Sequence, residues 1–292
     1  MRIIELRYSA TNTYLITGER GSILFDTGWA GTFQDFCSCI GKHDIRVQDI
    51  SHILISHFHP DHCGIAQQIA DLGPVIVAAD VQAGFLHAAD PVFENEKRRD
   101  FVPIRDEKVK VIPISESRAF LRSLGIDGAL YHTPGHSDDS ISLYLDDGTL
   151  FVGDLNPLYE LELHKGTQIG ESWEKLLSLH PRKVYYGHAK PAVLESADGV
   201  ATGLGVSESK VPGCTASESV ESQNGQDLSQ DEDLYFLTKK IMRYIDKGTT
   251  IDKIQKKTGA DRTFIEDVTR MYLTHTNVGV RGILDRIEIK GR

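Results

Sequence analysis

The alternation of apolar and polar positions predicts a chain in which short strands and helices follow one another. Apolar runs bounded by glycine and polar turn residues predict strands over residues 3–7, 13–17, 22–25, 50–56, 75–78, 108–114, 128–132, 140–145, 149–152 and 183–186. Apolar positions spaced three and four apart predict helices over residues 32–40, 64–72 and 173–179. This order of elements is typical of an α/β fold with layered sheets and helices.

A change of composition between residues 196 and 233 predicts a division of the chain. The segment is rich in Ser, Gly, Asp and Glu and poor in aromatic residues. It buries too little apolar surface to offset the entropy of ordering, so we expect a flexible acidic linker. The linker separates a predicted domain over residues 1–195 from a C-terminal unit over residues 234–292.

The C-terminal unit combines helical patterns with a closing stretch that alternates like a strand. The helical patterns cover residues 234–246, 250–258 and 262–273, and the alternation covers residues 282–290. Two forms of this unit are consistent with such a pattern, a winged-helix-like fold and a small helical bundle.

The charge of the chain is unevenly distributed. The net charge is −10, yet residues 234–292 carry 13 Lys and Arg against 7 Asp and Glu. The overall charge favours a small-molecule substrate over nucleic acid, while the basic C-terminal unit keeps nucleic acid open as a partner. The first residues contain no apolar signal segment, no run is long enough to span a membrane, and four cysteines are too few for a disulfide scaffold. We therefore expect a cytoplasmic protein with no membrane partner; no sequence feature indicates its oligomeric state.

The hexapeptide HFHPDH directly follows a predicted buried strand. Neutral imidazoles and carboxylates are the ligands that zinc and similar ions accept. Residues two apart in an extended segment point to the same side, so His57 and His59 are expected to share one metal ion. A turn at Pro60 lets Asp61 and His62 face a second ion. Burial alone does not explain the cluster, because several polar groups would then need partners in a small space.

Three further candidate ligands stand at or beyond the ends of predicted strands. His136 follows the strand over residues 128–132, Asp154 follows LFVG, and His188 follows VYYG. A carboxylate in such a position is able to bridge two cations about 3.5–4 Å apart. Together with the hexapeptide, these residues predict a site for two metal ions.

These motifs resemble those of the metallo-β-lactamase superfamily. The matching elements stand in the family's order over roughly residues 1–195 and comprise Asp26-Thr27-Gly28, the HxHxDH motif, Gly135-His136, Gly153-Asp154 and Gly187-His188. The resemblance implies a four-layer αββα sandwich with the metal ions at one edge of the β core.

The resemblance also implies a division of the ligands. It assigns one ion to His57, His59 and His136, and the other to Asp61, His62 and His188, with Asp154 bridging the two. It further implies that Asp26 orients the site through hydrogen bonds.

The expected function is that of a dinuclear metal-dependent hydrolase. Zinc is the expectation from the ligand types, and iron or manganese suits the same residues. Two divalent ions lower the pKa of a bridging water, so that hydroxide is available to attack an ester, thioester or lactone. We expect Asp61 to ligate the second ion and to orient or shuttle a proton.

Two other functions are consistent with the sequence. In a ribonuclease or phosphodiesterase the basic C-terminal unit would grip the phosphate backbone, and neutralising Lys253, Lys256 and Lys257 would weaken RNA binding. An iron-dependent oxygenase would use the same ligands without hydrolysis.

Three further residues near the motifs are weaker candidates. Tyr159 stands five residues after Asp154, where its phenol is expected to reach a substrate oxyanion as a catalytic group. His132 stands four residues before His136 and is expected to support the ligands by hydrogen bonding. His164 is expected to lie at the surface.

Overall fold

The computed structural model describes residues 1–194, 224–247, 249–274, 280, 282–284 and 287. The chain divides into two compact units, Met1–Leu194 with His275–Arg292 and Glu195–Thr274. This division differs from the predicted one, in which the C-terminal unit runs from residue 234 to residue 292. Most of the predicted linker, residues 196–223, lies outside the described residues.

The strands of the first unit build two sheets. In order of neighbours, the first sheet contains β1 (Arg2–Leu6), β2 (Thr13–Thr17), β3 (Ser22–Phe25), β4 (His52–Leu54), β5 (Val75–Ala79) and β6 (Val109–Ile112). The second contains β11 (Ala192–Val193), β10 (Lys183–Tyr185), β9 (Thr149–Phe151), β8 (Ile141–Leu145) and β7 (Gly128–His132). Strands β3 to β6 pair in parallel, as do β9 and β10. The other described pairs are antiparallel.

The helices of the first unit are short. They are α1 (Phe33–Gly41), α2 (Pro60–Cys63), α3 (Ala66–Ala70), α4 (Asp90–Asn95), α5 (Ser117–Ser123) and α6 (Gln168–Leu177). The predicted helix over residues 64–72 is replaced by α2 and α3. Helix α2 begins at Pro60, which suits a first helical turn because that position needs no backbone N–H. Asp61 and His62 consequently stand on a helical turn.

Strict alternation along the central strands explains how the two sheets pack. In β3, Ile23 and Phe25 enter an apolar cluster that they share with Phe151 of β9, so this cluster lies between the sheets. Leu24 points the other way, into a cluster that includes Phe36 of α1.

The second sheet is covered in the same manner. Leu150 of β9 packs in a third cluster with Trp173 and Leu176 of α6. Three apolar clusters therefore separate four layers in the order helix, sheet, sheet, helix, which confirms the αββα sandwich. No described helix is both long and apolar enough to cross a membrane.

The described part of the second unit consists of α7 (Asn224–Asp246), α8 (Ile251–Thr258) and α9 (Arg262–Thr274). The three helices contact one another and bury Ile241, Ile254 and Ile265. Helix α8 ends at Thr258 and is capped by Gly259, whose φ of 72° is left-handed and favours glycine.

Two predictions for the C-terminal part are wrong. Helix α7 begins at Asn224 and therefore includes residues 224–233, which the composition assigned to the linker. Adding a residue to a helix that is already nucleated costs little, so a polar stretch extends a helix whose later turns pack.

The predicted closing strand over residues 282–290 is also wrong where the structure describes it, because residues 282–284 and 287 are helical. Val280, Ile283 and Ile287 are spaced three and four residues apart. This spacing is typical of a helix, so the segment fits a helical pattern as well as the alternating pattern of a strand. The winged-helix form needs a β-ribbon, whereas the described residues after 274 are all helical.

Candidate metal centre

The candidate ligands lie in segments that follow the carboxyl ends of four strands. His57 and His59 follow β4, His136 follows β7, Asp154 follows β9, and His188 follows β10. Asp61 and His62 stand on α2, directly after the first pair. The fold brings all seven side chains into two adjoining groups, each able to hold a metal ion.

The first group, called here the three-histidine cluster, consists of His57, His59 and His136. Their candidate ligand nitrogens lie within 4.8 Å of one another, and Nδ1 of His59 is 3.1 Å from Nε2 of His136. Burial, and then the neighbouring histidines, lower the pKa of His57 well below its ordinary value. Burial also lowers the pKa of His59. These imidazoles are thereby kept neutral, as metal ligation requires.

The second group, called here the mixed cluster, consists of Asp61, His62, Asp154 and His188. Nε2 of His188 lies 2.8 Å from Oδ2 of Asp61 and 3.2 Å from Nε2 of His62. A mixture of imidazole nitrogens and carboxylate oxygens suits zinc, iron or manganese.

Asp154 faces both groups, with one carboxylate oxygen on each side. Its Oδ1 lies 3.2 Å from Nε2 of His62 and 3.4 Å from Nε2 of His188. Its Oδ2 lies 3.6 Å from Nε2 of His136, in the three-histidine cluster. The side chain is fully buried, so the carboxylate is directed at the two groups and away from solvent.

The hydrogen bonds behind the mixed cluster fix which imidazole nitrogens carry protons. Nδ1 of His188 lies 2.8 Å from the carbonyl oxygen of Ala10, which only accepts, so Nδ1 donates. Nδ1 of His62 lies 3.0 Å from Oδ2 of Asp26 and donates likewise. Because Nδ1 of each ring is directed at its outer acceptor, the two Nε2 atoms face each other across 3.2 Å. These Nε2 atoms are the ones that would ligate a cation placed between them.

His57 gives a second indication that the site fits metal ions. Its Nδ1 lies 3.0 Å from Oγ of Ser56, whereas its buried Nε2 has no hydrogen-bond partner among the described residues. A buried polar atom left unsatisfied costs about 1–3 kcal/mol. A metal ion at the three-histidine cluster would satisfy this nitrogen.

The electrostatics of the mixed cluster attract positive charge. Burial alone favours neutral His62, but the carboxylates of Asp154, Asp26 and Asp61 raise the pKa of His62 well above its ordinary value. The same carboxylates would stabilise a divalent ion at this place.

Asp26 lies at the junction of β3 and the ligand segments. Its φ of 62° is left-handed, a conformation that is uncommon for residues other than glycine. In this conformation Oδ1 accepts a hydrogen bond from the backbone N–H of Ser56 at 2.6 Å, while Oδ2 accepts one from His62. Thr27 accompanies it, since its N–H and hydroxyl both donate to the carbonyl oxygen of His62 at 2.8 Å. Asp26 thus holds the segment before His57 and the ring of His62 together.

A turn near the N-terminus holds the segment of His188. The side-chain amide of Asn12 donates to the carbonyl oxygens of Tyr186 and Ala189 at 3.0 and 3.1 Å. Its backbone N–H donates to the carbonyl oxygen of Gly187 at 2.7 Å. The ring of His188 is therefore anchored from both its backbone and its Nδ1.

Several residues that hold the ligand segments were not among the candidates predicted from the sequence. Asn12, Ser56, Gln82 and Asp139 are all buried, and each donates to or accepts from one of these segments. Ser56 precedes the hexapeptide and could have been found by that position. Nothing in the sequence distinguishes buried Asp139 from exposed Asp138 beside it.

The three weaker candidates differ in where they lie. Tyr159 stands on a 3-10 helix over Leu158–His164 with half of its surface exposed. Nε2 of His132 contacts the carbonyl oxygen of Asp138 at 2.8 Å, across the loop that carries His136. His164 is buried, against the surface position expected. The 3-10 helix turns it inward, a placement that the local pattern of polar residues concealed.

The chain is similar to a known protein family and to several curated proteins. The family model of the "Metallo-beta-lactamase superfamily" matches residues 6–188. The "Beta-lactamase-like protein 2 homolog" of Drosophila melanogaster is 30% identical over 188 residues, which cover 61% of this chain and 58% of that protein. An "Atrochrysone carboxyl ACP thioesterase" of Aspergillus fumigatus is 28% identical over 162 residues, covering 52% and 32%. The chain thus spans less than two thirds of these relatives.

Solved structures that are similar to this chain are more distant in sequence. A metallo-beta-lactamase family protein of Thermus thermophilus is 18% identical with a TM-score of 0.49, covering 99% of this chain and 92% of that one. The protein TTHA1623, in a di-iron-bound form, is 22% identical with a TM-score of 0.49, covering 66% and 94%.

Gly187 provides a test of how tightly the mixed cluster is assembled. A Cβ at this position would lie 2.7 Å from Oδ1 of Asp154 and 2.8 Å from Cε1 of His62, closer than real Cβ contacts. We expect Gly187→Ala to displace these buried side chains and to weaken metal binding at the mixed cluster roughly 10–100-fold. Metal content after dialysis against graded zinc concentrations measures this effect.

Gly84→Ala is the matched control, because a Cβ there meets nothing within 4 Å. It should bind metal like the parent chain. Equal metal binding in both variants would show that the close approach of Gly187 does not constrain the site.

Proposed function

The chain belongs to the metallo-beta-lactamase superfamily, whose model matches residues 6–188, and from this premise we propose that it is a dinuclear metal-dependent hydrolase of ester, thioester or lactone substrates. The observation that carries the proposal is the carboxylate of Asp154, with one oxygen facing each cluster. A bridging carboxylate between two groups of ligands is the arrangement that two-metal catalysis uses.

The proposed ligands follow the two clusters. His57, His59 and His136 would hold one ion, Asp61, His62 and His188 the other, with Asp154 between them. When bound, two such ions lower the pKa of a shared water towards neutrality and polarise the oxygen of the substrate. Asp26 keeps Nε2 of His62 available as a ligand, because it accepts the proton on Nδ1.

Asp61 is the member of the mixed cluster best placed to handle a proton. Its side chain is 17% exposed, whereas those of His62 and Asp154 are fully buried. Its Oδ2 points at Nε2 of His188, and its edge towards solvent suits orienting a water molecule and accepting its proton. We assign the hydroxyl of half-exposed Tyr159 a supporting contact with the substrate oxygen on which negative charge develops.

Two observations support an acyl substrate. Relatives from Aspergillus fumigatus and Pseudocercospora fijiensis carry the name atrochrysone carboxyl ACP thioesterase. The net charge of −10 also disfavours a polyanionic substrate over a small acyl compound. A thioester is accordingly the first substrate class to test.

The decisive experiment combines metal analysis of the purified protein with a panel of thioester, ester, lactone and phosphodiester substrates. We expect two divalent ions per chain, hydrolysis of an acyl substrate, loss of turnover on chelation and its return when zinc is added. Iron content with oxygen uptake would instead favour an oxygenase. A protein that holds two ions and hydrolyses none of the acyl substrates would contradict the proposal.

One observation favours nucleic acid as a second candidate substrate. Helix α8 exposes three lysines, Lys253, Lys256 and Lys257, while its Ile254 is buried. Because Lys256 and Lys257 stand three and four residues after Lys253, the three side chains share one face of the helix. Such a basic face suits a phosphate backbone.

Replacing Asp154 tests the two-metal arrangement directly. We expect Asp154→Ala to lose at least one ion and to lower turnover by about 100-fold or more. Removing a group that only hydrogen-bonds to a metal ligand typically costs about 10–100-fold in metal affinity or activity, and removing the ligand itself should cost at least as much. Metal content and kcat on the best substrate of the panel measure the two effects.

Asp127→Ala is the control for loss of a carboxylate. Asp127 is 72% exposed and precedes β7, at the other end of that strand from His136, so both ions and full turnover should be retained. Undiminished turnover of Asp154→Ala with two ions bound would refute the bridging role.

The basic face of α8 separates the two candidate substrates. If nucleic acid binds there, replacing Lys253, Lys256 and Lys257 with glutamine should weaken RNA binding and make it less dependent on salt. The log–log slope of affinity against salt should fall by about one unit for each phosphate that is no longer neutralised. Under the acyl-substrate proposal the triple variant hydrolyses the acyl substrate like the parent chain. RNA binding at several salt concentrations and acyl hydrolysis should be measured on the same preparation.

A further inference from the structure

We propose that Asp139 is a positioning residue that ties together the two segments of the three-histidine cluster and sets the metal affinity of that cluster alone. The inference rests on the proposed dinuclear site and deepens it. The observation behind it is a buried carboxylate that joins the segment of His57 and His59 to the segment of His136.

Asp139 makes its contact at the centre of the hexapeptide. The residue is 2% exposed, and its Oδ2 accepts a hydrogen bond of 2.7 Å from the backbone N–H of Phe58. Phe58 lies between His57 and His59, so this bond fixes the peptide that orients both rings. A carboxylate acceptor makes this bond stronger than a bond between neutral groups.

Asp139 belongs to the segment that presents His136. This segment is closed on itself by a hydrogen bond of 2.9 Å from the N–H of Thr133 to the carbonyl oxygen of Ser140. The N–H of Ile141 then donates to the carbonyl oxygen of Ser56 at 2.8 Å. The side chain of Asp139 and this backbone bond are two links between the same pair of segments.

Gln82 is a further link between the two segments of the three-histidine cluster. Its Nε2 donates to the carbonyl oxygens of Ile55 at 3.0 Å, Asp139 at 3.1 Å and Ser56 at 3.3 Å. Its Oε1 accepts from the N–H of Ala79 at 3.0 Å, at the end of β5. The backbone of Asp139 is therefore held to a strand of the first sheet while its carboxylate holds Phe58.

The mixed cluster is anchored by other groups. His62 is held by Asp26, and His188 by Ala10 and Asn12 through its backbone segment. The described hydrogen bonds of Asp139 go to none of these residues. Removal of its carboxylate should therefore act on one cluster and spare the other.

The size of the effect follows from the behaviour of groups that orient metal ligands. Substituting such groups typically costs 10–100-fold in metal affinity. We expect Asp139→Ala to weaken metal binding at the three-histidine cluster by roughly this factor. Asn retains an oxygen that accepts from Phe58, so Asp139→Asn should stay within about fivefold of the parent chain.

The experiment is a titration of the full chain with Co²⁺, followed by absorbance, in two backgrounds. His188→Ala disables the mixed cluster and leaves the three-histidine cluster, whereas His59→Ala does the reverse. We expect Asp139→Ala to lower the Co²⁺ affinity in the His188→Ala background and to leave it unchanged in the His59→Ala background. Thermal unfolding of every variant without metal shows whether the fold is retained.

Asp138→Ala is the matched control, because Asp138 is exposed and its described hydrogen bond in the loop is made by its backbone carbonyl. It should bind Co²⁺ like its parent in both backgrounds. Recovery of affinity in Asp139→Asn would show that the acceptor for Phe58 matters, and this variant keeps the test valid if Asp139→Ala does not fold.

The outcomes separate the inference from the function on which it rests. If the parent chain binds two Co²⁺ ions and Asp139→Ala weakens both backgrounds equally, or neither, the positioning role is refuted while the dinuclear site stands. The same holds if Asp139→Asn is as impaired as Asp139→Ala. A parent chain that binds no Co²⁺ would overturn the proposed function and this inference with it.

Discussion

The edge of the sandwich is governed by the cost of gathering seven imidazole and carboxylate side chains in one largely buried place. Buried polar groups of this kind cost free energy unless hydrogen bonds or ions pair with them. They stay there because each is held from behind: His62 by Asp26, His188 by the carbonyl oxygen of Ala10, and the peptide of Phe58 by Asp139. The outer hydrogen bonds fix the direction of these groups, and divalent ions would pair with their nitrogens and carboxylate oxygens.

The two sheets that support these hydrogen bonds are held together by apolar packing. Alternating residues of β2, β3 and β9 fill the three apolar clusters, so the strands are held on both faces. The segments that carry the ligands leave the strand ends, and neighbours of the ligands such as Phe58 and Leu155 pack into these clusters. A packed core that carries polar loops allows a common fold to support different reactions.

Much of the fold and the ligand set could be predicted, because both depend on local patterns. The strands Thr13–Thr17 and Ser22–Phe25 have the predicted bounds, and the structure gathers all seven candidate ligands. The residues that orient them could not be predicted in the same way. Asp139 meets Phe58 across 81 positions, and such a contact leaves no periodic trace. The start of α7 at Asn224 was missed because composition reports a segment's polarity and not the helix that it extends.

The bond between the start of the chain and the segment of His188 has a consequence for biosynthesis. Asn12 reaches the carbonyl oxygen of Tyr186 across 174 positions, and β10, which precedes His188, pairs with β9. A nascent chain emerging from the ribosome therefore presents its hexapeptide long before the mixed cluster can close. Contacts so distant along the chain form late, because closing a long loop costs entropy. In the proposed two-ion site, the mixed cluster would therefore close only once the segment of His188 has been made, whereas the three-histidine cluster has all its ligands once His136 has been made.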